Sequence, residues 1–261
     1  MILFFAICVA LLGAICGSFV GVLAERVYTG QSWKKGRSRC NSCREELDVR
    51  DLVPVVSQLW YRGRCRQCGA RVPGAYSMFE ATIGFLFVAA YFKIGVGGES
   101  ALLAVFLLIV LTLGFIVLYD LRHMIVPPVA SALLSALALI YAFLASGLAS
   151  DLHSAIAIEA FGLRIAIAGL VGIAFFLLHL LSRGRAMGLG DAPIVFALSL
   201  LLGSQSLAGV MFSFWIGAVI GIVILARRRG GPTMGIEVPF VPFLAAGFLL
   251  AYFTQWNPLP F

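Results

Sequence analysis

Apolar runs of about twenty residues recur along the chain, and they constrain its fold more than any other feature. Inside lipid every backbone N–H and C=O must be satisfied within its own element, and crossing the hydrocarbon core takes roughly 20 apolar residues. Eight segments qualify: 2–24, 77–95, 101–119, 125–148, 160–181, 191–204, 207–226 and 239–255. The sixth is short and the eighth opens on prolines. Only 12% of the residues are charged, against about 25% for a soluble domain. The expected fold is an all-α polytopic membrane protein of about eight transmembrane helices. The expected organisation is a first transmembrane helix over 1–24, a loop domain over 25–76 and a seven-helix membrane domain over 77–261.

The formal net charge is +7, a value that could suggest a nucleic-acid partner. Its distribution excludes that class, because it follows membrane topology. Lys and Arg stay on the cytoplasmic side of short loops. Eleven fall between 26 and 71, then come Arg122, Arg183, Arg185 and the run Arg227, Arg228 and Arg229, so 17 of 19 share one side. Only Lys93 and Arg164 fall near the other. Both termini are expected outside, with the 25–76 loop in the cytoplasm. The Arg227–Arg229 run reads as a topology anchor able to touch anionic lipid. The N-terminal run has its charges after the apolar stretch, the reverse of a cleaved signal peptide, so a retained first helix is expected. Within it, "GSFVG" offers a small-xxx-small packing face.

The 25–76 loop holds "CNSC" (Cys40, Cys43) and "CRQC" (Cys65, Cys68), two pairs separated by 21 residues. Each pair presents two thiolates to one metal, and four thiolates satisfy tetrahedral zinc. Arg39, Arg44, Arg64 and Arg66 nearby would favour the thiolate forms. Paired disulfides and redox-active pairs are the alternatives. A cytoplasmic loop keeps thiols reduced, and two pairs in so small a basic segment read better as one zinc-ribbon-like site. Cys8 and Cys16, inside the first helix, read as small packing residues.

Two acids stand where hydropathy does not explain them: Asp120 in "FIVLYDLRHMIVPP" and Asp191 in "GRAMGLGDAPIVF". A charge at membrane depth costs several kcal/mol and marks a functional candidate. Both acids are expected at cytoplasmic helix ends. Brought together, two carboxylates do not both ionise readily. The ionised one can activate water while the protonated one polarises a carbonyl, the aspartic-protease scheme. Gly188 and Gly190 leave room for close backbone approach, and Pro193 suits the first turn of a new helix. The structural alternatives are an N-cap role for Asp191 and a pairing of Asp120 with Arg122. His123 reads as a polar boundary residue rather than a base. Glu80, early in the second apolar segment, suits a functional or a structural role equally, and either way an acid there wants a partner.

These residues together resemble the type IV prepilin peptidase family, membrane aspartic proteases of the GxGD class. The likeness runs through "GSFVGVLAERV" (17–27), the cysteine-bearing segment 38–80, "YDLRHMIVP" (119–127), "GLGD" (188–191) and "VPFVPFLAAG" (238–247). What it implies is cleavage of the basic leader peptides of type IV prepilins or type II secretion pseudopilins, with Asp120 and Asp191 as the catalytic pair. It implies a bacterial inner-membrane enzyme whose active site faces the cytoplasm. It implies structural zinc at Cys40, Cys43, Cys65 and Cys68. Many members with the cysteine loop also N-methylate the new amino terminus with S-adenosylmethionine, so that cofactor is expected too. The chain departs from the family's pattern at Pro193 (usually Lys), Asn41 (often Pro) and Pro128 (commonly polar), which bears on substrate preference. Expected partners are prepilins or pseudopilins and lipid, not nucleic acid. Two other classes compete: a non-catalytic zinc-loop assembly factor, and a transporter using both acids as proton sites.

Overall fold

The computed structural model describes residues 1–32, 36–185, 187–227 and 238–258. The described residues form nine α-helices and, outside them, only short 3-10 turns and two isolated β-bridges. Eight helices are apolar and fall on the expected segments: α1 (Ile2–Thr29), α3 (Ala75–Lys93), α4 (Ser100–His123), α5 (Pro128–Ala145), α6 (Ala155–Ser182), α7 (Asp191–Leu202), α8 (Ser206–Arg227) and α9 (Val241–Thr254). The ninth, α2 (Val56–Trp60), is a single turn in the polar loop. Among the described residues, six stretches are long and apolar enough to cross a bilayer, with α7 and α8 counted as one. On their own, α7 with 12 residues and α9 with 14 fall short of the roughly 20 that a span needs. Lys34, Lys35, Arg228 and Arg229, which contribute to the basic bias, lie outside the described residues.

Helix ends differ from the hydropathy limits because caps, not lipid thickness, stop a helix. α1 continues past the apolar run through Glu25 and Arg26 and stops at Gly30, which is left-handed at φ 68°. α6 starts at Ala155 rather than 160 because the Ser154 hydroxyl accepts the Ala157 N–H. Pro127 and Pro128 end the α4 connection and open α5, since proline lacks the N–H that an interior helical position needs.

The chain divides into two compact units, Met1–Leu103 and Ala104–Phe261. In the first, α1 packs along α3 through glycines. A Cβ on Gly13 would stand 2.8 Å from Phe87 Cγ and 2.9 Å from Gly84 Cα, and one on Gly17 would meet Ile83 at 3.2 Å. A Cβ on Gly21 would meet nothing within 4 Å. The close-packing pair is therefore Gly13 and Gly17, one helical turn earlier than the Gly17 and Gly21 of "GSFVG". Glu80 finds its partner here: its Oε2 accepts the Val55 N–H at 2.9 Å.

In the second unit α7 is the central helix. Asp191, Ala192, Ile194, Val195, Ala197, Leu198, Ser199, Leu200 and Leu201 are all buried, as expected of a helix apolar on every face. α5, α6 and α9 pack around it, and α8 packs on α9. The last contact is close: Gly247 lies directly against Ser213 and Gly209 against the Phe248 ring. Phe106 of α4 is fully buried and stacks on Tyr252 at 4.7 Å, while the Tyr141 and Tyr252 hydroxyls satisfy each other at 2.7 Å. The outer faces keep Leu170, Leu181, Val219 and Ile222 exposed, the inverse of a water-soluble surface and the form that suits lipid.

Candidate functional site

The four cysteines converge although 21 residues separate the two pairs. The two knuckles repeat one local design. Cys40 N–H donates to Glu45 O, and Arg44 N–H donates back to Cys40 O. Likewise Cys65 N–H donates to Ala70 O, and Gly69 N–H donates to Cys65 O. In each, the residue after the second cysteine is left-handed, Arg44 at φ 63° and Gly69 at φ 69°, which folds the pair back on itself. All four sulfurs lie within 4.8 Å of one another, with Cys40 Sγ and Cys68 Sγ 3.9 Å apart. Ligands about 2.3 Å from one tetrahedral zinc stand about 3.8 Å apart, so the donor set and its spacing fit zinc.

Two of the four arginines beside the cysteines, Arg39 and Arg66, are paired with acids. Arg39 pairs with Glu46 at 2.9 Å, Arg37 reaches Glu46 at 3.7 Å, and Arg66 reaches Asp48 and Asp51 at 4.0 Å. What favours the thiolate at Cys40 is the backbone: the Cys43 and Ser42 N–H groups pull that thiol down to about 6. Cys43 receives the Glu45 N–H, which lowers it. Desolvation and the Cys40 and Cys68 sulfurs outweigh that bond and push Cys43 up to about 11. A cation held by the four sulfurs would favour their thiolate forms.

Asp120 and Asp191, 71 positions apart, come within electrostatic reach of each other in the second unit. Their exposures are 5% and 6%. Asp120 lies in the last turn of α4 and takes the backbone N–H of Val241, the first residue of α9. That N–H is available because the first turn of a helix leaves its donors unpaired. Asp120 Oδ2 is buried and has no hydrogen-bond partner among the described residues.

Asp191 is not an N-cap. Gly190 holds that place, and Asp191 is the first residue of α7 with its side chain turned back, so that Oδ2 accepts the Gly188 N–H at 3.2 Å. The two glycines differ in their roles. A Cβ on Gly190 would stand 2.6 Å from Val126 Cβ, whereas one on Gly188 would meet only Asp191 Oδ2 at 3.5 Å. Gly190 therefore lets the turn lie flat on the segment that follows α4, and Gly188 supplies a donor. Pro193 sits in the first turn of α7, and its carbonyl lies 3.5 Å from the Ser135 hydroxyl. His123 stands edge-on to Tyr119 at 4.9 Å.

Sequence reasoning missed three contributors. His179 of α6 places Nδ1 2.9 Å from the Met187 carbonyl and lies within electrostatic reach of Asp191. Arg164 donates to the Leu200 and Leu201 carbonyls at 3.2 Å each, capping the far end of α7. The Val241 N–H is the third. The signals were a lone His and a lone Arg in an otherwise apolar run, and Pro242 announcing a helix start.

Fold and site define a class: a multi-pass helical membrane protein with a buried carboxylate pair at adjoining helix ends and a four-thiol loop. Residues 11–94 match the family model described as the bacterial peptidase A24 N-terminal domain. The chain is 31% identical to the prepilin leader peptidase/N-methyltransferase of Bacillus subtilis over 242 residues, 92% of this chain and 90% of that protein. It is 31% identical to that of Myxococcus xanthus over 87% of this chain and 66% of the relative, slightly under two thirds of its length. It is 27% identical to that of Pseudomonas aeruginosa over 94% and 89%. No solved structure matches. The chain belongs to the prepilin leader peptidase/N-methyltransferase family and is an enzyme of that family.

Proposed function

We propose that the chain is a membrane aspartic endopeptidase. It cleaves leader peptides from type IV prepilins or type II secretion pseudopilins at the cytoplasmic face of the inner membrane. The observation that carries this reading is the pair of buried carboxylates, Asp120 and Asp191, close enough to interact, one with an oxygen that has no protein partner among the described residues. A buried polar oxygen without a partner calls for a proton or a water. In the proposed reaction the ionised carboxylate takes a proton from water, whose oxygen attacks the scissile carbonyl carbon. The protonated carboxyl donates to the carbonyl oxygen as the tetrahedral intermediate forms. When the C–N bond breaks, the leaving nitrogen takes a proton from the carboxyl that water protonated, and the other carboxylate takes one from the intermediate's hydroxyl, which restores the pair. Burial strengthens each of these interactions by excluding bulk water. A prepilin's apolar helix can enter the bilayer beside the enzyme, which brings its basic leader and scissile bond to helix-end depth.

Cys40, Cys43, Cys65 and Cys68 would hold zinc, which supplies cross-linking of the two knuckles rather than chemistry on the substrate. The cysteine loop and the relatives' names also support N-methylation of the new amino terminus with S-adenosylmethionine. A surface groove in the first unit, lined by Ile15, Ser18, Phe19, Val22, Ser38, Leu52 and Pro54, offers two hydroxyls and no charged group. That lining does not fit the cofactor's ribose and charged ends.

Cleavage of a candidate prepilin in detergent by wild type, Asp120→Ala and Asp191→Ala tests the peptidase. Each folded variant should lose at least about 10³-fold in rate. Normal cleavage by either one rejects the pair. Mass spectrometry of the mature amino terminus, with the methyl donor present, decides the second activity: a product lacking the added methyl mass rejects it.

A further inference from the structure

Two polar side chains of α6 grip opposite ends of α7. Arg164 caps its C-terminal carbonyls, and His179 holds the turn that leads into its first residue. We propose that His179 is a positioning residue for the Asp191 carboxylate, acting through a single peptide group. This deepens the peptidase reading and rests on it.

A carbonyl oxygen only accepts, so the His179 nitrogen that meets Met187 O, Nδ1, carries the hydrogen. The peptide unit of that carbonyl has the Gly188 N–H at its other end, and Gly188 N–H donates to Asp191 Oδ2. The peptide bond is planar and trans, so its C=O and N–H point in opposite directions along one rigid plate. Fixing the oxygen with the imidazole fixes the aim of the N–H at the carboxylate. Each bond polarises the other through the shared amide.

The backbone that carries His179 is held in place. Ser182 Oγ and Gly184 N–H both donate to the His179 carbonyl, at 3.2 and 2.9 Å. Gly184 is left-handed at φ 75°, and a Cβ there would press on His179 Cε1 at 3.3 Å. The turn past α6 thus closes over the ring. Met187 is 8% exposed, so its carbonyl would lose a partner that bulk water does not replace. Without the imidazole, the peptide plate is free to rotate and the Gly188 donor leaves Asp191.

The test compares wild type, His179→Ala, His179→Asn and His179→Gln in membranes or detergent. Asparagine places an N–H donor near the Nδ1 position and glutamine near the Nε2 position. In prepilin cleavage, His179→Ala should lose roughly 10- to 100-fold in kcat, the scale of a mispositioned catalytic group, with KM unchanged. His179→Asn should recover most of the loss and His179→Gln little of it. A wild-type kcat in His179→Ala, or equal rescue by glutamine, overturns the proposal. Amide hydrogen exchange at Gly188 provides a readout that needs no turnover. Exchange should accelerate in His179→Ala and in Asp191→Ala alike and return towards wild type in His179→Asn. Unchanged Gly188 protection in His179→Ala overturns the proposal even if cleavage is lost. Failure of wild type to cleave any prepilin, with the exchange pattern intact, rejects the peptidase reading instead and leaves the hydrogen-bond relay standing.

Discussion

Gly188 and Gly190 look equivalent in "GLGD", yet their surroundings assign them different work. Gly190 adopts an ordinary right-handed conformation, φ −67° and ψ −19°, so an alanine there costs nothing in backbone terms. Its cost is steric, a Cβ 2.6 Å from Val126 Cβ, closer than any side chain tolerates. Gly190→Ala should therefore displace the turn and cut prepilin cleavage by about tenfold or more, the scale of a misaligned catalytic group. Val126→Gly, which removes that Cβ, should restore much of the loss, whereas Val126→Ala, which keeps it, should not. Gly188→Ala meets only ordinary contact and should stay within a few-fold of wild type. Steady-state cleavage by the four variants checks the order, and an inactive Gly188→Ala beside an active Gly190→Ala would reverse the two roles.

At the scale of elements, close approach between helices is set by small residues on facing ridges, because lipid gives helices no hydrophobic reason to associate. The α1–α3 seam uses Gly13 and Gly17 against Gly84, Ile83 and Phe87. Gly13→Leu should destabilise the first unit by about 1–3 kcal/mol, the usual cost of overpacking. Gly21→Ala, whose Cβ would meet nothing within 4 Å, should leave stability unchanged or raise it by up to about 1 kcal/mol. Unfolding midpoints of the two variants in detergent read the difference, and equal midpoints refute the seam. Helix ends obey the same logic of partners. Arg164 was an exception to the charge bias when counted along the sequence, but in the fold it satisfies two carbonyls at the end of a buried helix. Burying those carbonyls without it would leave acceptors unpaired.

At the scale of the whole molecule, the thiol cluster belongs to Met1–Leu103 and the carboxylate pair to Ala104–Phe261. The two chemistries should therefore separate. Asp120→Asn and Asp191→Asn should keep about one zinc per chain, the stoichiometry of a four-thiolate site, while losing cleavage. Cys65→Ser should lose the metal, and chelation of wild type should expose the loop to protease. Metal analysis alongside limited proteolysis distinguishes these outcomes; zinc loss in the aspartate variants would show that the sites depend on one another. The sequence by itself determined the apolar helices, the knuckle pattern and the two out-of-place acids, because hydropathy and short motifs are properties of neighbours along the chain. It also narrowed the family, through motifs kept in order over most of the length. Only the tertiary structure decided which groups meet. It set Asp120 beside Asp191, gave Asp120 the Val241 N–H, moved the glycine seam one turn back, turned Asp191 away from an N-cap, and placed His179 on the peptide that faces it. The physical reason is that such contacts depend on which helix faces meet. In a chain where nearly every face is apolar, periodicity distinguishes buried from lipid-facing sides too weakly to choose the partners.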